Sequence, residues 1–181
     1  NFLGSNIEKI AKEKLGIVKN SKKTILSQQS LLVRQLARLE VRKRKVKLLE
    51  EGVNWRIKKQ NLEKKIFSFC FEKSNYEFKF PRLVGQHQIE NASTAIATIL
   101  SMDKNNISTK NIEKGILTAT WPARMQNLKN GKLASFIGDK FEIWLDGGHN
   151  LDASNILKKM IRNWTNDNIF LIIGMMVGKE P

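Results

Sequence analysis

The sequence predicts an α/β protein in which short β-strands alternate with amphipathic helices. Apolar residues recur at helical spacing over residues 90–102 and again over 152–164. Apolar segments at 141–145 and 169–173 flank the second of these helices, and the order strand, helix, strand predicts one βαβ unit with parallel strands. Two strands and one helix cannot cover both faces of a sheet, so we expect this domain to continue beyond Pro181.

Residues 5–18 are predicted to form a short amphipathic helix. Ser5 and Glu8 form a capping-box pattern, and Gly16 stands where a left-handed C-terminal cap belongs. A short buried strand is predicted to follow over 24–26.

A long basic helix is predicted over 28–51. Its rough apolar stripe consists of Leu31, Leu32, Leu36, Leu39, Val46 and Leu49. The net charge of +15 suggests an electrostatic patch for nucleic acid or an anionic ligand. The charges are spread along the chain, however, and the basic run at 41–47 is typical of a solvated helix face.

Aromatic and polar residues alternate over 66–80, which predicts a β-hairpin. Ser108 is predicted to cap a further helix. The Gly- and Lys-containing stretch 128–134 is the predicted boundary between a first domain, 1–130, and a second, 131–181.

The composition is that of a folded protein, with 41% hydrophobic residues. The apolar run 169–176 is far shorter than the roughly 20 residues that cross a bilayer. Cys70 is the only cysteine, which excludes an intrachain disulfide and a cysteine-based metal cluster. With no signal-peptide pattern, these features predict a cytoplasmic protein without a membrane partner. Both ends look cut, since the chain opens at Asn1 without a start methionine and closes at Gly178-Lys179-Glu180-Pro181 in the middle of a segment.

Lys14 lies in the middle of the apolar stripe that Ile7, Ile10, Ala11 and Val18 define on the first predicted helix. Partial burial there would lower the pKa of the amine, which could act as a nucleophile or form a carbamate able to bind a hard cation. A lysine near a helix end can also carry its charge back to solvent, and the pattern alone favours that interpretation.

The segment DGGHN, residues 146–150, follows a predicted strand and precedes a helix. Ligands bind at this position in open parallel sheets, because glycines allow close approach and the helix N-terminus attracts anions. Asp146 could accept hydrogen bonds from ribose hydroxyls. The alternative is an ordinary turn between a strand and a helix.

The segment WPARMQ, residues 121–126, places Arg124 after a proline that restricts the backbone. A fixed guanidinium suits bidentate phosphate recognition, although a surface ion pair is the commoner fate of one arginine. For His87 and Asn91, the alternative to a ligand-binding role is that they are solvent-exposed residues near the start of a helix.

Four blocks in this order carry a resemblance to a known family. They are NFLG with EKLGIVK (1–4 and 13–19), GQHQIENA (85–92), WPARMQ (121–126) and DGGHN (146–150). The sequence resembles the folylpolyglutamate and dihydrofolate synthases of the Mur ligase superfamily. The His-Gln pair and the Trp-Pro-x-Arg phrase favour the folate branch over the cell-wall branch. The resemblance implies a P-loop ATP-binding domain followed by the start of a Rossmann-like domain.

The resemblance also implies roles for individual residues. Lys14 matches a lysine that is carbamylated in this family and helps hold Mg²⁺, which reverses the preference for a solvated lysine. Asn91, Arg124, Asp146 and His149 match residues around ATP, with Asn91 near the adenine and Arg124 near the phosphates. Lys14 and His149 are the implied catalytic residues.

Two positions depart from the family pattern near these sites. Lys179 matches a lysine near the incoming amino acid, but Glu180 replaces the commoner aspartate beside it. Gly148 replaces the alanine usual in its turn, which should be tolerated.

The implied reaction is ATP-dependent addition of L-glutamate to folate or dihydropteroate through an acyl phosphate. The 181 residues contain no Gly-x4-Gly-Lys-Ser/Thr phosphate loop, so we expect this chain to be an inactive fragment by itself, and a monomer. Another Mur-type amide ligase, such as a cell-wall precursor ligase, is one alternative. A basic nucleic-acid-binding protein is the alternative from another class.

Overall fold

The structure, a computed structural model, describes residues 6–102, 107–162, 164 and 168–175. The chain folds into two compact units. The first unit comprises Asn1–Phe80 and Glu90–Leu117, and the second comprises Pro81–Ile89 and Thr118–Pro181. The domain boundary expected near residue 130 stays a prediction.

The first unit opens with a helix and a parallel strand pair. Helix α1 (Ile7–Leu15) precedes strand β1 (Lys23–Leu26), helix α2 (Leu31–Lys43) and strand β2 (Lys47–Glu50). The strands pair in parallel, from Lys23 opposite Lys47 to Leu26 opposite Glu50. A buried cluster of Val18, Val41 and Val46, with Leu15 and Leu48 packed against it, fills the space around them. The strand predicted at 24–26 is confirmed, but its residues are half-buried rather than buried as predicted.

The capping predictions for α1 need correction. Asn6 caps the helix, its side chain accepting a hydrogen bond from the Lys9 amide, and Ser5 lies outside the described residues. Gly16 has a φ of −56°, so the predicted left-handed cap is wrong. The chain instead continues its right-handed turn until the Val18 amide bonds to the Leu15 carbonyl at 2.9 Å.

The long helix predicted over 28–51 is also wrong, because α2 ends at Lys43. Lys45 adopts a left-handed conformation with a φ of 55°, and the Val46 amide bonds to the Val41 carbonyl at 2.8 Å. These features form a Schellman-type helix end. Leu49 then lies buried on β2, paired with β1.

Three antiparallel strands follow: β3 (Trp55–Asn61), β4 (Ile66–Phe71) and β5 (Ser74–Lys79). The hairpin predicted over 66–80 is confirmed, whereas the sequence did not reveal β3. A bulge between Ile57 and Lys59 breaks its alternation. One face of the sheet buries large aromatic side chains, those of Trp55, Phe67, Phe69 and Phe78.

Helix α3 (Gln86–Leu100) begins four residues before the predicted start at residue 90. Helix α4 (Thr109–Thr118) is capped as predicted, since the Ser108 hydroxyl accepts a hydrogen bond from the Asn111 amide at 3.2 Å. None of the described helices has the length and hydropathy needed to cross a bilayer.

The second unit contains strand β6 (Gln126–Asn127), helix α5 (Lys132–Ile137), a 3-10 turn (Gly138–Lys140), strand β7 (Trp144–Leu145) and helix α6 (Leu151–Ile161). Strands β6 and β7 pair antiparallel. Residues 168–175 form no strand, so the parallel βαβ unit predicted over 141–173 is not formed by the described residues. An apolar segment becomes a strand only when a neighbouring strand takes up its backbone hydrogen bonds, and no described strand pairs with this segment.

Candidate functional site

Two loops of the second unit meet through the β6–β7 pair. Loop 121–125 leads into β6, and loop 146–150 follows β7. In the antiparallel register Gln126 lies opposite Leu145, and the Leu128 amide bonds to the Ile143 carbonyl at 2.8 Å. The backbone thus places two of the predicted ligand segments side by side.

The backbone on both sides of Arg124 is left-handed. Ala123 has a φ of 54° and Met125 a φ of 42°. The Ala123 amide donates to the Gln126 side-chain oxygen at 3.0 Å, and the Met125 side chain is buried. Arg124 itself is exposed and makes no hydrogen bond or ion pair with the described residues. The predicted alternative, a surface ion pair, is therefore not found in this part of the chain.

Asp146 accepts a hydrogen bond from each of the two loops, one at each oxygen of its carboxylate. Its Oδ2 accepts a hydrogen bond from the Met125 amide at 2.9 Å, and its Oδ1 accepts one from the Gly148 amide at 2.7 Å. The Gly147 amide adds a bond to the Ala123 carbonyl at 2.8 Å. Asp146 thus joins the loop of Arg124 to the glycine turn.

The glycine turn leads directly into α6. Asn150 caps this helix, its side chain accepting from the Ala153 amide at 2.9 Å. His149 is exposed, and its Nδ1 lies 3.0 Å from the Gly147 carbonyl oxygen. Because a carbonyl only accepts, the ring donates from Nδ1 and leaves Nε2 for a ligand. The exposed start of an 11-residue helix adds a partial positive charge beside it.

The turn is tight at Gly148. A Cβ built there would lie 2.8 Å from the Ala153 Cβ and 2.9 Å from Asp146 Oδ1. Glycine therefore fits the close approach of the helix at this position, which agrees with the expectation from the resemblance that a glycine is tolerated here.

Lys14 is exposed on α1, so the partial burial predicted from the helical pattern is wrong. Ala11 and Val18 are buried, but Ile7 on the same stripe is 54% exposed, which places this part of the stripe at the surface. Within the described ranges, no group of three or more His, Cys, Asp or Glu side chains is arranged to hold a metal.

The remaining predicted residues are distributed along the chain. Asn91 is exposed in the second turn of α3 and, like Lys14, belongs to the first unit. His87 is partly buried at the start of α3, with its Nε2 2.9 Å from Gln88 Nε2. Lys179 lies outside the described residues. The structure therefore brings together Arg124 and the DGGHN turn.

Two features of this region were not apparent from the sequence. Gln126 supports the loop through its side chain, and Asp146 bonds to backbone on both sides. A polar residue at the start of a short strand is the only signal for the first feature. The second needs the antiparallel pairing of β6 with β7, which two-residue strands do not reveal.

Bacterial folate ligases are similar to this chain in sequence, although no family model matches it. Dihydrofolate synthase/folylpolyglutamate synthase of Bacillus subtilis is 25% identical in an alignment of 185 positions that covers 99% of this chain and 41% of the relative. Folylpolyglutamate synthase of Lacticaseibacillus casei is 29% identical over 101 residues, 54% of this chain and 22% of the relative.

Solved structures show the same likeness. Folylpolyglutamate synthase of Thermotoga maritima matches with a TM-score of 0.71 and 23% identity, covering 88% of this chain and 36% of that one. The Mycobacterium tuberculosis enzyme complexed with ADP matches with a TM-score of 0.73 and 18% identity, covering 90% and 36%. The chain has the fold of the part of the folylpolyglutamate synthases that it covers.

The resemblance to folylpolyglutamate and dihydrofolate synthases, inferred from four sequence blocks, is confirmed, and so is the α/β fold class. The relatives support the folate-ligase prediction rather than the cell-wall or nucleic-acid alternatives. The chain spans 41% of the length of the Bacillus subtilis synthase and 22% of the Lacticaseibacillus casei synthase.

Proposed function

We propose that this chain supplies nucleotide-binding residues of an ATP-dependent ligase that adds L-glutamate to folate or dihydropteroate. The observation that carries the proposal is the joined pair of loops, in which an exposed Arg124 without a partner among the described residues stands next to a glycine turn at the start of α6. This arrangement offers a guanidinium, backbone amides and a helix N-terminus to an anion. Relatives complexed with ADP and with AMPPCP support a nucleotide as that anion.

The proposed reaction activates a carboxylate, which by itself is a poor electrophile. The γ-phosphate of ATP passes to the substrate carboxylate, forming an acyl phosphate and ADP. The amine of glutamate then attacks the acyl carbon, an amide bond forms, and phosphate leaves with the carboxylate oxygen. Positioning and charge neutralisation supply most of the rate of such a transfer.

The residues of the second unit have separate roles in this proposal. Arg124 contacts the phosphates and neutralises charge as the phosphoryl group transfers. His149 presents Nε2, which donates to phosphate when the ring is protonated. Asp146 stays assigned to the ATP site, where the resemblance implies that it lies around the nucleotide and its position after a strand suggests contact with the ribose.

Residues outside this group keep roles that rest on the resemblance alone. Asn91 is proposed to lie near the adenine, and Lys179 near the incoming glutamate. Lys14 is proposed to bind Mg²⁺ as its carbamate on the resemblance alone, because its exposure removes the burial that would favour a neutral amine.

The described residues do not fit a complete magnesium site, because no three acidic or histidine side chains converge within them. Mg²⁺ is proposed as the cation that accompanies ATP, since it binds phosphate oxygens and neutralises their charge. The steps of the proposed reaction are therefore assigned to protein side chains alone. We further propose that the ligase acts in the cytoplasm, where one unpaired cysteine is unexceptional.

The test is an assay of ADP release with mass spectrometry of the products. The protein that carries this sequence together with a phosphate-binding loop should release ADP only when ATP, glutamate and either folate or dihydropteroate are present. The product should be heavier by one glutamyl residue. The 181-residue chain alone should not turn over. ADP release that depends instead on a muramyl precursor would contradict the folate assignment, and turnover by the chain alone would contradict its inactivity.

A further inference from the structure

The loop around Arg124 contains two residues in an unfavourable backbone conformation, which surrounding contacts must stabilise. Ala123 and Met125 are not glycines, yet both have a positive φ, of 54° and 42°. Side chains disfavour this conformation, and such residues persist where their surroundings over-determine them. Since they flank Arg124, they fix the direction in which its side chain leaves the backbone.

Hydrogen bonds to the next loop stabilise both left-handed residues. The Ala123 carbonyl accepts from the Gly147 amide at 2.8 Å, and the Met125 amide donates to Asp146 Oδ2 at 2.9 Å. The second of these bonds has an ionised acceptor, which makes it the stronger kind. Asp146 Oδ1 accepts from the Gly148 amide at 2.7 Å, so the carboxylate cannot turn away without losing both bonds.

We propose that Asp146 is a positioning residue that holds the left-handed backbone at Met125 and thereby aims Arg124 at the phosphates of a bound nucleotide. This inference rests on the proposed function, in which Arg124 binds phosphate. It differs from the role that the sequence pattern suggested for Asp146, contact with the ribose. Asp146 acts through Arg124 and need not touch the nucleotide.

Inorganic tripolyphosphate separates the three ways in which Asp146 could affect binding, because it has phosphates but no ribose. If Asp146 only contacted ribose, Asp146→Ala would leave tripolyphosphate affinity unchanged. If only its charge mattered, removing a carboxylate beside an anion site would strengthen binding. Positioning predicts the opposite sign, because a misdirected Arg124 binds phosphate less well.

The experiment titrates the 181-residue chain with tripolyphosphate by calorimetry at low salt. Arg124→Ala should weaken binding by about tenfold or more, the loss expected for one charged hydrogen-bonding group. Asp146→Ala should weaken it by several-fold, and the double variant should bind no more weakly than Arg124→Ala alone, because both changes remove the same contact. Asp152→Ala is the matched control: it removes an exposed acid from the first turn of α6 and should leave binding equal or stronger.

Several results would overturn the inference. These are unchanged or tighter binding by Asp146→Ala, losses that multiply in the double variant, and no binding of tripolyphosphate by the parent chain. If circular dichroism shows that Asp146→Ala is unfolded, Asp146→Asn keeps one acceptor oxygen and should show a smaller loss of the same kind. Unfolding of both variants would make Asp146 a residue of general stability and would also overturn the inference.

The outcome of the tripolyphosphate titration does not depend on the proposed ligase activity. Tripolyphosphate contains no adenosine and no folate, so a failed ligase assay leaves the coupling between Asp146 and Arg124 intact. Conversely, an active ligase whose Asp146→Ala variant binds tripolyphosphate normally would overturn only the positioning role.

Discussion

Glu50 is a buried acid on which two arginines of α2 converge. Arg38 donates from Nε and Nη2 to the two carboxylate oxygens at 2.7 and 2.9 Å, and Arg34 Nε donates to Oε2 at 3.1 Å. The hydrogen bond from Arg38 is the main reason that the pKa of Glu50 lies below its usual value, opposed by partial burial. The cluster fastens α2 to the carboxyl end of β2.

Glu50→Gln is predicted to destabilise the chain in a pH-dependent way. At pH 7 the loss of the charged acceptor should lower the free energy of unfolding by about 1–3 kcal/mol. Because the folded-state pKa is depressed, the carboxylate's contribution is present above the unfolded pKa and is lost as pH falls below about 4. The difference between parent and variant in urea unfolding should therefore shrink in acid. Glu72→Gln, in an exposed pair with Lys47, should cost little at any pH. A difference constant down to pH 3 would contradict this account.

The residues around Arg124 show what a sequence predicts at this scale. The sequence was sufficient to select Arg124, Asp146 and His149 as candidates, because their motifs combine a fixed guanidinium with a glycine turn. The hydrogen bonds of these loops could not be predicted from the sequence, because the acceptor of the Met125 amide lies 21 residues further along the chain. The prediction that Lys14 is partly buried was wrong, because helical periodicity does not indicate which part of an apolar stripe the core covers.

Helix α2 and strand β2 show where prediction of secondary-structure elements from the sequence fails. The apolar residues at 46 and 49 continue the helical spacing, so the helix predicted from that spacing extended through them. A lysine at position 45 hides the break, since glycine is the usual residue at a left-handed helix end. Strand β3 was missed for a related reason: its sequence is largely polar and its bulge interrupts the alternation.

Replacing Lys45 by glycine should therefore stabilise the chain. Its φ of 55° is unfavourable for a residue with a Cβ and costs glycine nothing, so Lys45→Gly should raise the free energy of unfolding by about 1 kcal/mol. Lys43→Gly, at the last right-handed position of α2, should instead lower it by about 0.5–1 kcal/mol. Both variants lose one positive charge, so urea unfolding compares backbone effects alone. Equal signs for the two variants would contradict the left-handed helix end.

Across the whole molecule, the sequence predicted the fold class better than it predicted the strands of the second unit. Residues 169–173 are apolar enough for a buried strand, but Ile172 is 95% exposed and Phe170 78% exposed. Hydrophobicity indicates that a segment favours burial, whereas a strand also requires a neighbouring backbone. The net charge of +15 proved less informative than four short motifs, because charge spread over a chain does not define a ligand.

The most direct test of the central claim is ADP binding by the 181-residue chain, measured by calorimetry with two matched variants. Arg124→Ala should weaken ADP binding by about tenfold or more, because the guanidinium contacts the phosphates. Arg82→Ala removes another exposed arginine of the same unit and should leave the affinity unchanged. Equal losses in both variants would show a general charge effect. No ADP binding by the parent chain would contradict the assignment of this loop pair as a nucleotide site.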